Sequence, residues 1–308
     1  MKRTPTLERL LRQTSEAEAR HFWFRGFRAF VGPLLARAAA GRSGLRLLDC
    51  GCGTGGNLAL LGAYGTTFGF DFTPAGTALA AARDGGARVL RASTTHLPFP
   101  DQSFDIVTSF DVLVCLPDGA DEEAAIEFHR VLRPGGALIV NVAAMSVLRG
   151  AHSVAAAEVR RYRRPGLQRL LTGAGFVVER LTYTNAVLFP FLLAQRAVER
   201  ARGLPASAAD VRNQLALPPA PINEVIAAAL WLEAQAVRLT AMPLGSSLLA
   251  LAWKRPEQAR GLPVTHADRT PTTTGHRGSP SAATASAGAT PLTDDGASHT
   301  AQPPAAAS

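Results

Sequence analysis

The sequence predicts a doubly wound α/β fold, a mostly parallel sheet of seven strands with helices on both faces. Three observations lead there. Short apolar runs ending at an acid recur at Leu45–Asp49 and Thr67–Asp71. Stretches with helical spacing separate such runs along the chain. The run Ala137–Val142 (ALIVNV) is apolar on both faces, as the middle of a covered parallel sheet must be. The chain has 308 residues, 47% of them apolar, which is ample material for a buried core.

The elements follow in order. A helical block, Leu7–Ala40, precedes the first strand and carries the aromatic cluster His21-Phe22-Trp23-Phe24. Leu45–Asp49 (LRLLD) reads as a buried strand running into the glycine-rich CGCGTGG and then a helix, Asn57–Ala63. Thr67–Asp71 is the second strand, and Thr73–Arg83 a helix with Pro74 suited to its first turn. Arg88–Ala92 is a weaker third strand and Phe104–Phe110 a fourth, entered through the turn-like PFPDQS. Asp121–Leu132 has helical periodicity and stops at Arg133-Pro134-Gly135-Gly136, ahead of the fifth strand. A helix over Pro165–Ala174 leads to a sixth strand, Phe176–Tyr183, and Ser246–Trp253 is a seventh. About sixty residues with helical stretches (Phe191–Arg202, Ile222–Thr240) separate the last two strands. That is too long for a plain connection, so 186–243 is expected to be an inserted lid.

The informative segment is Asp49–Gly56, DCGCGTGG. Glycines let a backbone turn sharply and approach a ligand closely, and the following helix start favours negative charge. Gly51, Gly53 and Gly56 fit G-x-G-x-x-G, and Asp71, twenty residues beyond Gly51, stands where a ribose-binding acid should be. These features leave a nicotinamide enzyme and a nucleoside-binding transferase nearly level. Asp49 tilts the balance, because a carboxylate ahead of the glycines would repel a pyrophosphate and suits a ligand carrying an ammonium and a sulfonium. Cys50 and Cys52 form a C-x-C without the further ligands of a structural zinc site, so no metal is expected.

Three blocks in order, LLDCGCGTGG, HLPFPDQSFDIVTSFDVL and RVLRPGGALIVNVAA, resemble the class I S-adenosylmethionine-dependent methyltransferases of the bacterial small-molecule type, over roughly residues 20–254. The resemblance implies a Rossmann-like methyltransferase fold and S-adenosylmethionine as cofactor. It implies that Gly51, Cys52, Gly53 and Gly55 line the cofactor's methionine and ribose, with Asp49 near its amino group. Asp71 would accept from the ribose hydroxyls and Phe72 would lie beside the adenine. Ser93 and Thr94 stand where relatives often carry an acid for the adenine amino group. Phe110 and Asp111 would face the transferred methyl group. A narrower resemblance to a subgroup with HFWF…RRYxRxxLxxLLxxAGF…TYxN covers His21–Phe24, Arg160-Arg161-Tyr162, Leu167–Phe176 and Thr182–Asn185. That subgroup leads one to expect His-Asp after the fifth strand and a further His before RRY; this chain has His152-Ser153 and Ala157-Glu158, with Cys115 where relatives often carry His. Candidate catalytic groups are therefore Asp111 as base or polar pocket wall, His152 as base, and Tyr162 facing the acceptor between arginines that could hold an anion.

Charge and composition bound the rest. Lysine and arginine number 32 against 24 acids, and only Lys2 and Lys254 are lysine. The segment 257–308 holds four acids, three arginines and no aromatic residue, and is expected to be a disordered tail; the preceding 256 residues keep 20 acids and 29 bases. The arginines are scattered and no Asn/Asp-Pro-Pro-aromatic motif occurs, which argues against a nucleic-acid methyltransferase. No run of 18 apolar residues predicts a membrane span, the N-terminus lacks an apolar signal core, and three cysteines cannot make a disulfide framework, so a cytoplasmic location is expected. The expected organisation is an N-terminal helical segment (1–44), a methyltransferase domain (45–256) and the tail. The expected activity is methyl transfer to a small or medium-sized molecule, oxygen slightly favoured. The rivals are a non-catalytic cofactor-binding member of the fold and, behind it, a dehydrogenase or nucleic-acid enzyme. Contact with a membrane surface or lipid-linked acceptor through the Phe189–Leu193 run and the insertion stays open, as does the oligomeric state.

Overall fold

The computed structural model describes residues 5–83, 88–202 and 216–256; the tail expected over 257–308 lies outside them. The described residues form one seven-stranded sheet in the order β3-β2-β1-β4-β5-β7-β6. In chain order its strands are β1 (Leu45–Cys50), β2 (Gly65–Asp71), β3 (Val89–Arg91), β4 (Phe104–Phe110), β5 (Leu132–Ala143), β6 (Phe176–Thr184) and β7 (Ser247–Lys254). β1 to β5 pair in parallel, and β7 runs antiparallel between β5 and β6. The chain steps outward from β1 to β3, then returns across β1 to β4. That reversal opens a crevice at the carboxyl ends of β1 and β4, where sheets of this kind bind ligands.

The helices are α1 (Pro5–Ala17), α2 (Phe22–Ala39), α3 (Leu58–Gly62), α4 (Pro74–Arg83), α5 (Ala120–Val131), α6 (Ala151–Ala155), α7 (Arg164–Gly173), α8 (Phe189–Ala201) and α9 (Ala220–Leu239). Strand alternation sends side chains to two apolar layers. Leu48, Val107, Leu138, Val140 and Ala250 meet α5 and α7 on one face. Leu47, Ile106, Ile139, Leu249 and Leu251 meet α2 and α9 on the other.

Two elements differ from the sequence expectation. Leu132, expected to end a helix, already pairs with Phe104, and the ladder resumes only at Ile106 with Ala137. Arg133–Gly136 is therefore an outward excursion within β5, possible because Gly135 takes a φ of +75°. The second difference is the insertion expected to act as a lid. Its α9 is sheet cover: Leu230, Ala234 and Val237 are buried with Leu34, Leu35 and Leu251. A buried polar pair fixes it there. Asn223 accepts from Phe22 N at 2.9 Å and donates to the Arg20 carbonyl at 3.0 Å, while Glu233 accepts from Ala186 N and Val187 N at 2.8 and 3.0 Å and so holds the start of α8. The element lying over the glycine-rich turn is instead α1, packed on α4 and α6 with Leu10 buried against Ala155 and Ala156.

If α9 is structural cover, Leu230→Ala removes a fully buried side chain and lowers unfolding free energy by about 2–5 kcal/mol. Leu239→Ala, at a position 89% exposed, changes it by less than about 0.5 kcal/mol. Denaturant melts of the two variants check this, and equal midpoints would show that α9 is only loosely attached.

Candidate functional site

The turn after β1 is fixed by the sheet beside it. Gly51 N and Cys52 N both donate to the Phe70 carbonyl, at 2.9 and 2.8 Å, and Gly51, Gly53 and Gly55 have φ of +75°, +52° and +76°. A Cβ on Gly51 would lie 2.3 Å from Val112, and one on Gly55 would lie 2.9 Å from the Cα of Ala80. Only glycine satisfies both the conformation and the packing at these two positions. At Gly53 the space is open except for Leu11 of α1, 3.7 Å from such a Cβ. Cys52 turns its thiol inward among Leu58, Ala80 and Val89, so only its backbone faces the turn. The five-residue α3 that follows is shorter than expected.

Asp71, at the end of β2, bridges the turn to α4. Its Oδ2 accepts from Gly53 N at 3.0 Å, and its Oδ1 from Thr73 N and Thr73 Oγ1 at 2.7 and 2.6 Å. It thus caps the start of α4 while standing beside the glycines. Phe72 projects at 49% exposure, with the Arg91 guanidinium 5.8 Å from its ring centre. Ser93 meets Thr95 Oγ1 at 3.0 Å, and Thr94 is buried.

Asp49 lies beneath the turn at 2% exposure, its Oδ1 accepting from Thr108 Oγ1 at 2.7 Å. Burial raises its pKa to about 7; the Thr108 hydrogen bond opposes the rise and the Asp71 charge adds to it.

At the end of β4, Phe110 packs edge-on against Phe27 of α2, with ring centres 4.9 Å apart. Asp111 then adopts φ +59° and is held by one residue of β5: its N–H donates to the Asn141 carbonyl at 2.9 Å, and Asn141 Nδ2 donates to both carboxylate oxygens at 3.0 and 3.1 Å. The surrounding protein raises its pKa to about 7, helped by the Glu158 charge and resisted by Asn141 and Arg161. Asp111 is open to the cleft, and water entering there works against the rise. His152, in α6, is kept neutral by burial and by Arg161 and Arg196, against the pull of Glu158. Asp111 and His152 therefore share one electrostatic neighbourhood centred on Glu158.

Tyr162 does not face that neighbourhood. It is buried in the apolar layer against Leu167 and Leu171, and its hydroxyl donates to Asp121 Oδ2 at 2.6 Å. Its pKa is pushed upward by burial and by Asp121. The expectation fails because the isolated bridge between Tyr162 and Ala144 turns the ring into the core. The two arginines before it are also spoken for: Arg160 pairs with Asp118 and Asp121, and Arg161 donates to Glu158, Ser153 and the Ala144 carbonyl. His21 caps α2, its Nδ1 accepting from Trp23 N at 3.2 Å. No group of three or more His, Cys, Asp or Glu side chains able to hold a metal occurs among the described residues.

Residues 48–140 match the family described as "Methyltransferase domain". A probable S-adenosylmethionine-dependent methyltransferase of Mycolicibacterium smegmatis is 34% identical over 122 residues, 39% of this chain and 45% of that protein. Over that stretch the chain is similar to class I S-adenosylmethionine-dependent methyltransferase domains. The phthiotriol/phenolphthiotriol dimycocerosates methyltransferase of Mycobacterium leprae is 37% identical over 101 residues, 31% of this chain and 37% of that one. The demethylmenaquinone methyltransferase of Lactiplantibacillus plantarum is 38% identical over 107 residues, 32% and 44%. The match thus spans less than half the length of these three relatives. Among solved structures, an S-adenosylmethionine-dependent methyltransferase from Thermotoga maritima shares the fold at a TM-score of 0.51 and 18% identity, covering 81% of this chain and 99% of its own.

The residues of the methyltransferase domain fit that cofactor. The cradle is one a Cβ would fill, an acid at the end of β2 borders it, and an exposed aromatic ring follows at Phe72. Three groups escaped the sequence reading. Glu18 touches the turn from the α1–α2 junction, Asn141 orients Asp111, and Glu158 sets the charge around His152. Glu158 was visible as an acid standing in place of an expected His; the other two act through contacts 30 or more residues away in sequence.

The raised pKa of Asp49 has a consequence for stability. The unfolded chain loses this proton near pH 4 and the fold keeps it to about pH 7. The folded state therefore binds more protons across that window, and stability falls as pH rises through it. Asp49→Asn keeps an acceptor for Thr108 and removes the ionisation, so it stabilises the ligand-free protein at pH 8 by roughly 2–4 kcal/mol and by little at pH 4. Denaturant titrations at the two pH values check this; an equal effect at both would refute the buried-acid account.

Proposed function

We propose that the domain transfers a methyl group from S-adenosylmethionine to an oxygen of a small or medium-sized molecule seated in the cleft above Asp111. The observation that carries this reading is an adjacency at the carboxyl ends of β1, β2 and β4. A glycine cradle with its ribose-side acid stands next to a second carboxylate held on a left-handed residue. When bound, the cofactor supplies a methyl carbon made electrophilic by its cationic sulfur. The chain's part is alignment, exclusion of water and management of one proton. The cradle and Asp71 hold the adenosyl group, and α1 with Leu11 covers the turn against solvent. Asp111 accepts the proton of the acceptor hydroxyl while Asn141, bonded to both carboxylate oxygens, fixes the position of the carboxylate. His152, neutral beside Glu158, is a second acceptor for that proton.

Two of the relatives are named for phthiotriol and demethylmenaquinone, which makes a lipid-like molecule the first acceptor class to screen. The relevant setting would be the cytoplasm, a reading supported by three free thiols, two of them buried. No helix among the described residues is long and apolar enough to cross a membrane. One feature favours a second reading, cofactor binding without transfer. Arg161 ties Glu158, Ser153 and the Ala144 carbonyl into a closed network where a His-Asp pair and a His were expected.

An oxygen acceptor gives a pH signature. The carboxylate of Asp111 must be ionised to take the proton, so kcat/KM rises with pH up to about 7 and then levels. Asp111→Asn removes that limb and lowers kcat/KM by about 10²–10⁴ with little change in cofactor affinity. An unchanged limb in Asp111→Asn would move the titration to His152 or to an amine acceptor, and its loss in Asp111→Asn/His152→Gln would single out His152. Cofactor binding without turnover across the lipid-like screen would favour the second reading.

A further inference from the structure

Glu18 follows α1 directly and rests on the glycine-rich turn. It is 5% exposed. Its Oε2 accepts from Thr54 Oγ1 at 2.7 Å, and a Cβ on Gly56 would lie 2.1 Å from the same oxygen, so the carboxylate lies against the turn's backbone. Its charge is paired with Arg83 at the end of α4, which also donates to Ser15 Oγ and the Ser15 carbonyl, each at 2.8 Å, and Arg28 of α2, donating to the Glu18 carbonyl at 2.7 Å, adds a second positive charge nearby. A buried carboxylate is costly unless a cation meets it. Of the two cations, the one that contacts the carboxylate, Arg83, is a side chain 37% exposed, a partner that water can readily take over.

The three acids around the turn are not equivalent. Asp49 lies below it and is closed off by Thr108. Asp71 stands at the β2 end with its oxygens taken by Gly53 and Thr73. Glu18 alone among them meets the turn from the α1 side, at Thr54–Gly56, and its charge partner is exchangeable.

We propose that Glu18 is the counter-ion for the α-ammonium group of the cofactor's methionine, receiving it in exchange for Arg83; this rests on the cofactor reading above. The ammonium is a compact donor that can bond a carboxylate already oriented by Thr54, a charge-assisted contact of the strong kind. Because Glu18 terminates α1, the same contact draws α1 down over Gly53, where Leu11 already sits. Recognition of the amino-acid end of the cofactor and covering of the turn become one event.

Calorimetric titration of the full chain tests this with three ligands: S-adenosylhomocysteine, its des-amino analogue, and methylthioadenosine, which keeps the adenosine and thioether but lacks the amino-acid tail. Glu18→Gln keeps the volume and an acceptor for Thr54. Wild type is expected to bind the des-amino analogue about tenfold or more weaker than S-adenosylhomocysteine. Glu18→Gln is expected to lose a similar factor for S-adenosylhomocysteine, with methylthioadenosine unchanged and no further penalty for the missing amine. Equal losses for all three ligands would make Glu18 a structural residue and overturn the proposal. Unchanged or tighter binding of S-adenosylhomocysteine would also overturn it, the latter showing that Glu18 shields the turn. Failure of wild type to bind any of the three would remove the cofactor reading and the inference with it.

Discussion

The carbonyl of Phe70 accepts two amides, Gly51 N and Cys52 N, and the rest of the site depends on that paired contact. It fastens the first bend of the glycine-rich turn to β2, the neighbouring strand, so the turn cannot move without the sheet. The next residue of β2 is Asp71, and its reach to Gly53 N follows from the same fastening. The glycine-rich turn and Asp71 are thus one rigid unit built from two adjacent strand ends. Left-handed glycines make this affordable: any side chain at Gly51 would collide with Val112, and any at Gly55 with α4.

The turns after the later strands are built on a different principle. Three non-glycine residues with positive φ follow the parallel carboxyl ends directly or nearly so: Asp111 after β4, Met145 after β5 and Asn185 after β6. Such conformations cost of order 1–3 kcal/mol each and persist where the surroundings over-determine them. At Asp111 the over-determination is explicit, since Asn141 binds both its backbone and its carboxylate. The glycine-rich turn obtains its geometry at little strain, whereas the turns after β4, β5 and β6 impose it on side-chain-bearing residues.

What the sequence could disclose follows the range of the interactions. The parallel strands and their order along the chain were legible because each is a local apolar run closed by an acid or a turn. Gly51, Gly53 and Asp71 were legible because the chemistry of a turn is written in adjacent residues. The excursion at Arg133–Gly136 was not, since it depends on Leu132 pairing with Phe104 across the sheet. The role of α9 was misjudged because a helix buried on the sheet and a helix over a cleft share one periodicity. The polar residues that distinguish them, Asn223 and Glu233, find their partners about 200 and 46 residues away. Tyr162 was drawn into the site by its arginine neighbours, and Asp121, 41 residues earlier, claims its hydroxyl. Glu18 carried no local signal, because its meaning lies in Thr54 and Arg83.

Two acids in this molecule have their pKa raised to about 7, and their positions make the same shift mean different things. Asp49 is sealed under the turn, where no reacting group can reach it, so its shift is a cost to the ligand-free fold that any stabilising contact above the turn must offset. Asp111 opens on the cleft, where a carboxylate near half-ionisation at neutral pH can both take a proton and release it. The two lie at the ends of adjacent strands, paired through Asp49 and Thr108 with Cys50 and Ser109 one step further on. The surrounding protein raises both pKa values, and access to the cleft decides which of the two can do chemistry. A large shift therefore locates the neighbourhood of a site, and the open path to solvent singles out the residue within it.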